Sequence, residues 1–389
     1  MRIAYVTETF PPEINGVSLT AERTVRHLCG SGHAVQLIRP RRPDEGPRRD
    51  ADEWRCGGGP IPMYPELRFG WATPAGLRAL WRREGLPDLV HATTPGPLGW
   101  AALKAARAEG IPTSADFRTN FHAYCGHYGL GWFEPVVLGY LRRLHAMASG
   151  NFVPTPELAR QLSARGFERL HVLGRGVDAR RFAPERRDPW LRREWRVGEE
   201  HRVMLYVGRL AAEKNAGLAL QTFERLSARR PGLRMVVVGD GPMRARLERA
   251  HPSARFVGMQ TGLELARHYA SADVFLFPSL TDTFGNVTLE ALASGLAVAA
   301  FDTGAAGLHV RDGVNGCLAP PCDGLDAADA FLDAATRALD ASAPDGLLRL
   351  EARRTAREAD WDGVLRRFEQ QLQRLATAGR SVPRYAAVA

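Results

Sequence analysis

Apolar positions along the chain recur in two alternating rhythms. Short runs at 2–6, 34–39, 203–207, 233–238 and 273–277 are nearly continuous and rich in β-branched or aromatic residues, as in strands buried on both faces. Between them, 17–29, 98–108, 136–147, 217–228 and 287–294 repeat apolar residues at intervals of three and four, as in helices with one buried stripe. Such alternation predicts parallel sheets. The pattern runs through residue 178, fades over 179–201 where Arg, Glu, Asp and Pro dominate, and restarts at Val203. It predicts an α/β protein with two parallel-sheet domains, 1–178 and 202–360, joined by a linker at 179–201. A helix at 361–376 is expected to cross back onto the first domain, with 377–389 as a frayed tail. Residues 40–62, rich in Pro, Arg, Gly and Asp, read as a mobile loop.

At 389 residues the chain is too long for one ordinary core, in keeping with two domains. It carries a formal charge of +9, almost wholly from arginine, with lysine only at Lys104 and Lys214. That balance suits an acidic partner, either phosphates or an anionic membrane surface, although a composition-biased genome also favours arginine. No reader motif or aromatic-interleaved basic patch points to nucleic acid. Arginines among aromatics at 64–83, and Arg142, Arg143 and His145 on the 136–147 helix, suit either a shallow membrane contact or ordinary packing. No run of 18 apolar residues and no secretory leader is visible, so a cytoplasmic location is expected, either free or peripheral on the inner face of the plasma membrane. The five cysteines form no Cys-x-x-Cys pair and read as reduced thiols rather than a disulfide framework or zinc site. No divalent-metal cluster is visible, and no cofactor is expected.

Chemistry concentrates where strands end. The strand at 273–277 runs into a polar turn with Gly285, and a helix carrying Val287 follows; its N-terminal amides and dipole favour an anion. Asp282 and Glu290 bracket that turn, the outline of a nucleotide-sugar site. After the strand at 203–207 comes Gly208-Arg-Leu-Ala-Ala-Glu-Lys214-Asn215. A lysine kept in an arginine-rich chain supplies a compact ammonium beside the planar fork of Arg209, together a diphosphate clamp. The turn Val238-Gly239-Asp-Gly-Pro242 puts glycines where a bulky ligand would press. In the first domain Gly16 sits where a helix begins, and Arg118 and His122 follow the strand at 111–117, the end of a parallel strand at which α/β folds bind ligands.

Glu8-Thr-Phe-Pro-Pro-Glu-Ile-Asn-Gly-Val17, Thr119-Asn-Phe121, Gly176-Val-Asp178, Tyr206-Val-Gly-Arg-Leu210 with Glu213-Lys-Asn215, Val238-Gly-Asp-Gly-Pro242 and Phe277-Pro-Ser279 through Glu290-Ala291 occur in this order. The chain so read resembles the family 4 retaining glycosyltransferases, over nearly its whole length, and among them bacterial GDP-mannose-dependent α-mannosyltransferases and glycolipid-forming hexosyltransferases. The resemblance implies the GT-B fold, two Rossmann-like domains facing an interdomain cleft. It implies that Arg209 and Lys214 hold the donor diphosphate, that amides at Gly16, Phe284, Gly285 and Asn286 bind phosphate and sugar, that Glu290 takes the ribose hydroxyls, that Asp282 contacts the transferred sugar, and that the segment from Phe256 through Val257 to Met259 lines the base. Two positions depart from the family pattern. Asp282 stands where glutamate is usual, and Arg118 where a histidine is common, with His122 four residues on as its possible replacement; Arg118 would suit a uronic acid donor.

The implied reaction is metal-independent transfer of a hexose, with retention, from a nucleoside-diphosphate sugar (GDP-mannose, or UDP-glucose or UDP-glucuronate) to a lipid or lipid-linked acceptor. The alternatives are a nucleotide-sugar 2-epimerase and a non-catalytic nucleotide-sugar binder.

Overall fold

Ile3, Ala4, Tyr5 and Val6 are each fully buried, so the strand they form must lie at the centre of a sheet covered on both faces. In the computed structural model this strand, β1 (Arg2–Val6), pairs in parallel with β2 (Ala34–Pro40) on one side and β6 (Leu89–Ala92) on the other. The structure describes residues 1–13, 15–49, 52–61, 64–117, 134–198, 200–279, 284–321, 324–343 and 346–380. These fall into two compact units, one holding the described residues up to Gly174 and those from Leu365 onward, the other Arg175–Val364.

The first unit's sheet adds β3 (Arg48–Arg49), β4 (Glu53–Ile61), β5 (Tyr64–Trp71), β7 (Thr113–Asp116), β8 (Gly150–Val153) and β9 (Leu170–Val172). Its order is β3-β4-β2-β1-β6-β7-β8-β9, with β5 antiparallel to β4. Helices α1 (Gly16–Gly30), α2 (Pro74–Glu84), α3 (Pro97–Ala108), α4 (Glu134–Ala146) and α5 (Pro156–Ala164) connect the strands. Phe368, on the last helix of the chain (Trp361–Arg380), packs edge-on against His91 and against Phe152 of this unit.

The β4–β5 hairpin corrects the expectation of a mobile loop at 40–62. Trp54 and Cys56 are buried, and a Cβ on Gly58 would stand 2.2 Å from the Phe69 carbonyl oxygen. The glycines that read as flexibility instead let two strands lie close together.

The second unit has a parallel sheet of β10 (Arg202–Val207), β11 (Leu233–Val238), β12 (Arg255–Gly258), β13 (Val274–Phe277), β14 (Ala297–Phe301) and β15 (Cys317–Ala319), in the order β12-β11-β10-β13-β14-β15. Around it lie α6 (Pro189–Glu194), α7 (Ala216–Ser227), α8 (Arg244–Ala250), α9 (Gly262–Ser271), α10 (Asn286–Ala293), α11 (Gly304–His309), α12 (Gly324–Asp340) and α13 (Leu347–Glu358); the helix at Trp361–Arg380 is α14. The segment 179–201, expected as a linker, contributes Phe182, Leu191, Trp195 and Val197 to this unit's core. Its charges hide the reason. Arg192 is 1% exposed and donates to the carbonyls of Ser271, Gly198 and His201, and it reaches Asp273 at 3.4 Å. Asp273, fully buried, accepts from the Val203 amide at 2.9 Å and also faces Arg187 at 3.3 Å. Arg192→Ala would leave this carboxylate short of a cation; a loss of about 3–5 kcal/mol in unfolding free energy is expected by urea titration.

In the first unit Glu8, buried just beyond β1, accepts hydrogen bonds from the amides of Gly70 (3.1 Å) and Leu98 (3.2 Å), tying β1 to β5 and to the first turn of α3. Burial outweighs these bonds and pushes its carboxyl up to about 7. A carboxyl raised by folding binds its proton more tightly in the native state, so its contribution falls as pH rises from the ordinary carboxylate range through about 7. Stability of the wild type relative to Glu8→Gln should therefore decline by about 3 kcal/mol between pH 4.5 and 8, measured as the difference between their denaturation curves. A pH-independent difference would mean that Glu8 ionises normally.

Candidate active site

Four consecutive strands of the second sheet, β12, β11, β10 and β13, deliver their carboxyl ends to one edge. Every residue singled out in this half of the sequence leaves the sheet there, except Asp282, which lies outside the described residues. Such an edge is where open parallel sheets bind ligands.

At the centre, β10 runs into Gly208-Arg209-Leu210. The Gly208 amide donates to the Val238 carbonyl at 3.0 Å, and the Leu210 amide to that of Asp240 at 2.9 Å, so the loops after β10 and β11 are laced backbone to backbone. Gly239 and Gly241 take φ values of 138° and 156°, and Cβ atoms there would fall 2.0 Å and 2.5 Å from the carbonyl oxygens of Gly208 and Leu210. The close approach these glycines permit is to the neighbouring loop. The Tyr206 hydroxyl, buried below, lies 3.3 Å from the Arg209 carbonyl oxygen and 3.5 Å from that of Lys214. Asn215, left-handed at φ 53°, donates its side-chain amide to the Pro278 carbonyl at 3.4 Å. The half-buried Arg209 and Lys214 thus stand on a segment anchored to the ends of β11 and β13.

On one flank, β12 ends at Gly258, whose carbonyl accepts from the Gly239 amide at 2.9 Å. Val257 is half-buried and Met259 exposed, an apolar surface able to take the face of a planar ring. On the other flank, beyond β13, Phe284 is buried edge-on against His309, whose imidazole burial pushes down to about 4 and so keeps neutral. Gly285 follows with φ 87° at the N-cap of α10, and among the described residues no side chain caps this helix. Among those residues the amides at Asn286 and Val287 find no side-chain acceptor of the kind that closes most helix starts. One turn on, half-buried Glu290 accepts a hydrogen bond at 3.0 Å from the fully buried Tyr269 hydroxyl. Burial and the adjacent carboxylate both raise the Tyr269 pKa, so the phenol stays protonated and donating. Tyr269, on α9, had no signal in the sequence, because its partner lies in another element.

In the first unit the geometry at Gly16 differs. Asn15 caps α1, its Oδ1 accepting from the amides of Val17 (3.1 Å) and Ser18 (2.8 Å), while Gly16 itself is exposed. Two amides of that helix end are therefore answered by the chain, unlike those of α10. Arg118 and His122 lie outside the described residues.

A six-stranded parallel sheet covered by helices, with a cation pair, a helix start and a carboxylate at its carboxyl edge, is a domain of the Rossmann kind. The chain belongs to the family 4 glycosyltransferases: residues 14–181 match the model for Glycosyltransferase Family 4 and residues 201–340 that for Glycosyl transferases group 1. It is 39% identical over 311 residues to the GDP-mannose-dependent alpha-mannosyltransferase of Mycobacterium tuberculosis, covering 78% of this chain and 80% of that one. To the phosphatidyl-myo-inositol mannosyltransferase of Mycolicibacterium smegmatis it is 31% identical over 343 residues, covering 84% and 83%. Its fold is that of the sucrose-phosphate synthase of Thermosynechococcus elongatus, with a TM-score of 0.79 at 18% identity over 97% of this chain and 99% of that one. The protein is a glycosyltransferase of the GT-B fold.

The Tyr269 hydroxyl gives this site a test separate from its charged groups. Tyr269→Phe should weaken nucleoside diphosphate binding about tenfold by calorimetry, the scale of one hydrogen bond to a charged group. Unchanged affinity would detach Tyr269, and with it the orientation of Glu290, from donor binding.

Proposed function

We propose that the protein transfers a hexose, with retention and without a metal, from a nucleoside-diphosphate sugar to a lipid or lipid-linked acceptor at the cytoplasmic face of the membrane, with GDP-mannose as the first candidate donor. The observation that carries this reading is the position of Arg209 and Lys214 on β10's loop, one strand away from the loop that leads to α10's uncapped amides. Departure of a nucleoside diphosphate builds negative charge on its β-phosphate. Two cations and a helix start fixed beforehand can meet that charge without reorganising, and the rate gain follows from that preorganisation.

In this assignment Glu290 binds the ribose hydroxyls, Val257 and Met259 line the base, and the amides of Phe284, Gly285 and Asn286 hold phosphate and sugar. Asp282 contacts the transferred sugar, and Gly16, Arg118 and His122 act on the same donor. The names of the two mannosyltransferase relatives, one GDP-mannose-dependent and one acting on phosphatidyl-myo-inositol, support donor and acceptor class. No described helix is long and apolar enough to cross a membrane, so a lipid acceptor would be met from the surface.

Release of nucleoside diphosphate from GDP-mannose, UDP-glucose and UDP-glucuronate, with diacylglycerol and phospholipid vesicles present, tests the reading. Lipid-dependent release from GDP-mannose is expected, unaffected by EDTA, and lowered at least about 100-fold by Lys214→Ala. Preference for UDP-glucuronate would move the donor assignment and give Arg118 the uronate carboxylate. Interconversion of free sugars without an acceptor would establish the epimerase instead, and donor binding with no turnover the non-catalytic binder.

A further inference from the structure

Away from the carboxyl edge of the sheet, the second unit carries an open cleft of about 390 Å³ whose charged walls are Arg180, Arg186, Arg353, Arg357 and Glu185. Four guanidinium groups face one carboxylate. Arg180 and Arg186 come from the segment after Asp178 and from the 3-10 turn Pro184–Arg186, while Arg353 and Arg357 stand one turn apart on α13.

Arg353 is fixed. It donates to the carbonyls of Phe182 (3.3 Å) and Ala293, and its other nitrogen lies 3.5 Å from Glu185. Burial depresses its pKa, opposed by the nearby Glu185 and assisted by Arg357. Arg180, Arg186 and Arg357 have no carboxylate partner among the described residues. Other exposed arginines divide between those that meet an acid among the described residues, such as Arg26, Arg160 and Arg225, and those that do not, such as Arg246 and Arg374. What sets these three apart is their convergence on one concavity, with a fourth arginine anchored at its wall.

From this convergence we infer a second anion site, for a ligand bearing a phosphate group, separate from the donor diphosphate site. A single carboxylate would neutralise one of the three surplus charges. A phosphate offers two charges and three oxygens that guanidinium forks take in pairs. The volume leaves room for the organic part of a phosphomonoester or for a phospholipid headgroup. On α13, Leu347 and Leu350 are exposed and share a face with Arg354 and Arg357, so that both sources fit the same chemistry.

The test compares wild type with Arg180→Gln/Arg186→Gln/Arg357→Gln, and with a control of equal charge loss, Arg83→Gln/Arg160→Gln/Arg225→Gln. By calorimetry with inorganic pyrophosphate at constant ionic strength, the cleft variant should bind one pyrophosphate fewer than wild type and control. Any binding at the donor site is common to all three and cancels. Arg357→Gln alone, on an exposed helix face, should weaken that event about fivefold. In the second arm, vesicles containing phosphatidic acid are expected to pellet wild type and control at least fivefold better than the cleft variant if the source is a headgroup, with phosphatidylcholine vesicles as blank. Loss of a pyrophosphate without a vesicle effect assigns a soluble phosphate compound. Equal pyrophosphate stoichiometry together with equal pelleting of cleft variant and control would overturn the site.

Discussion

Parallel pairing of β10 with β11 and β13 is the constraint from which the candidate site follows. Each parallel strand must return to its start before the next can pair, so every outgoing loop is forced onto one edge. The register aligns Val207 with Val238, and the following loops then lie close enough to bond backbone to backbone. Only residues without a Cβ tolerate that approach, which places glycine at 239 and 241. With this lacing in place, Arg209 and Lys214 are held on a segment whose amides, carbonyls and Asn215 side chain are committed to neighbouring strands. The cations themselves stay half-buried at the surface.

Much of this edge was legible in the sequence, because strand, turn and helix follow one another locally and the turn residues advertise themselves. The strands 203–207, 233–238 and 273–277 fall where the apolar runs put them, to within a residue. What failed were segments whose composition imitates disorder. Gly58 and Gly59 pack against Phe69 in a hairpin, and Arg187 and Arg192 turn inward onto Asp273, so that Arg192 behaves as core. Glu8 and Tyr269 were hidden for another reason: their partners, Gly70, Leu98 and Glu290, lie 62, 90 and 21 residues away, and no short-range pattern reports a bond of that kind.

Two helix starts show how the same motif diverges. Both α1 and α10 follow a strand and a glycine-bearing turn, and from sequence each reads as an anion seat. Asn15 closes the first by accepting from Val17 and Ser18. A left-handed glycine opens the second, since Gly285 has no side chain to fold back on the amides. Among the described residues the difference is one residue at the cap position, and it leaves the amides of α10 able to take their acceptor from outside the helix.

The far end of α10 carries the argument further. Its last carbonyl, that of Ala293, is answered by Arg353, and Arg349 donates to the Gly295 carbonyl just beyond the helix. A cation at a helix C-terminus complements the dipole as an anion does at the N-terminus. Arg353 is also a wall of the arginine-lined cleft, so the helix whose amides are proposed to hold the donor phosphates ends against a group that a second anion would contact. An anion there would share the Arg353 charge with the Ala293 carbonyl, weakening the cap at one end of a helix of only eight residues.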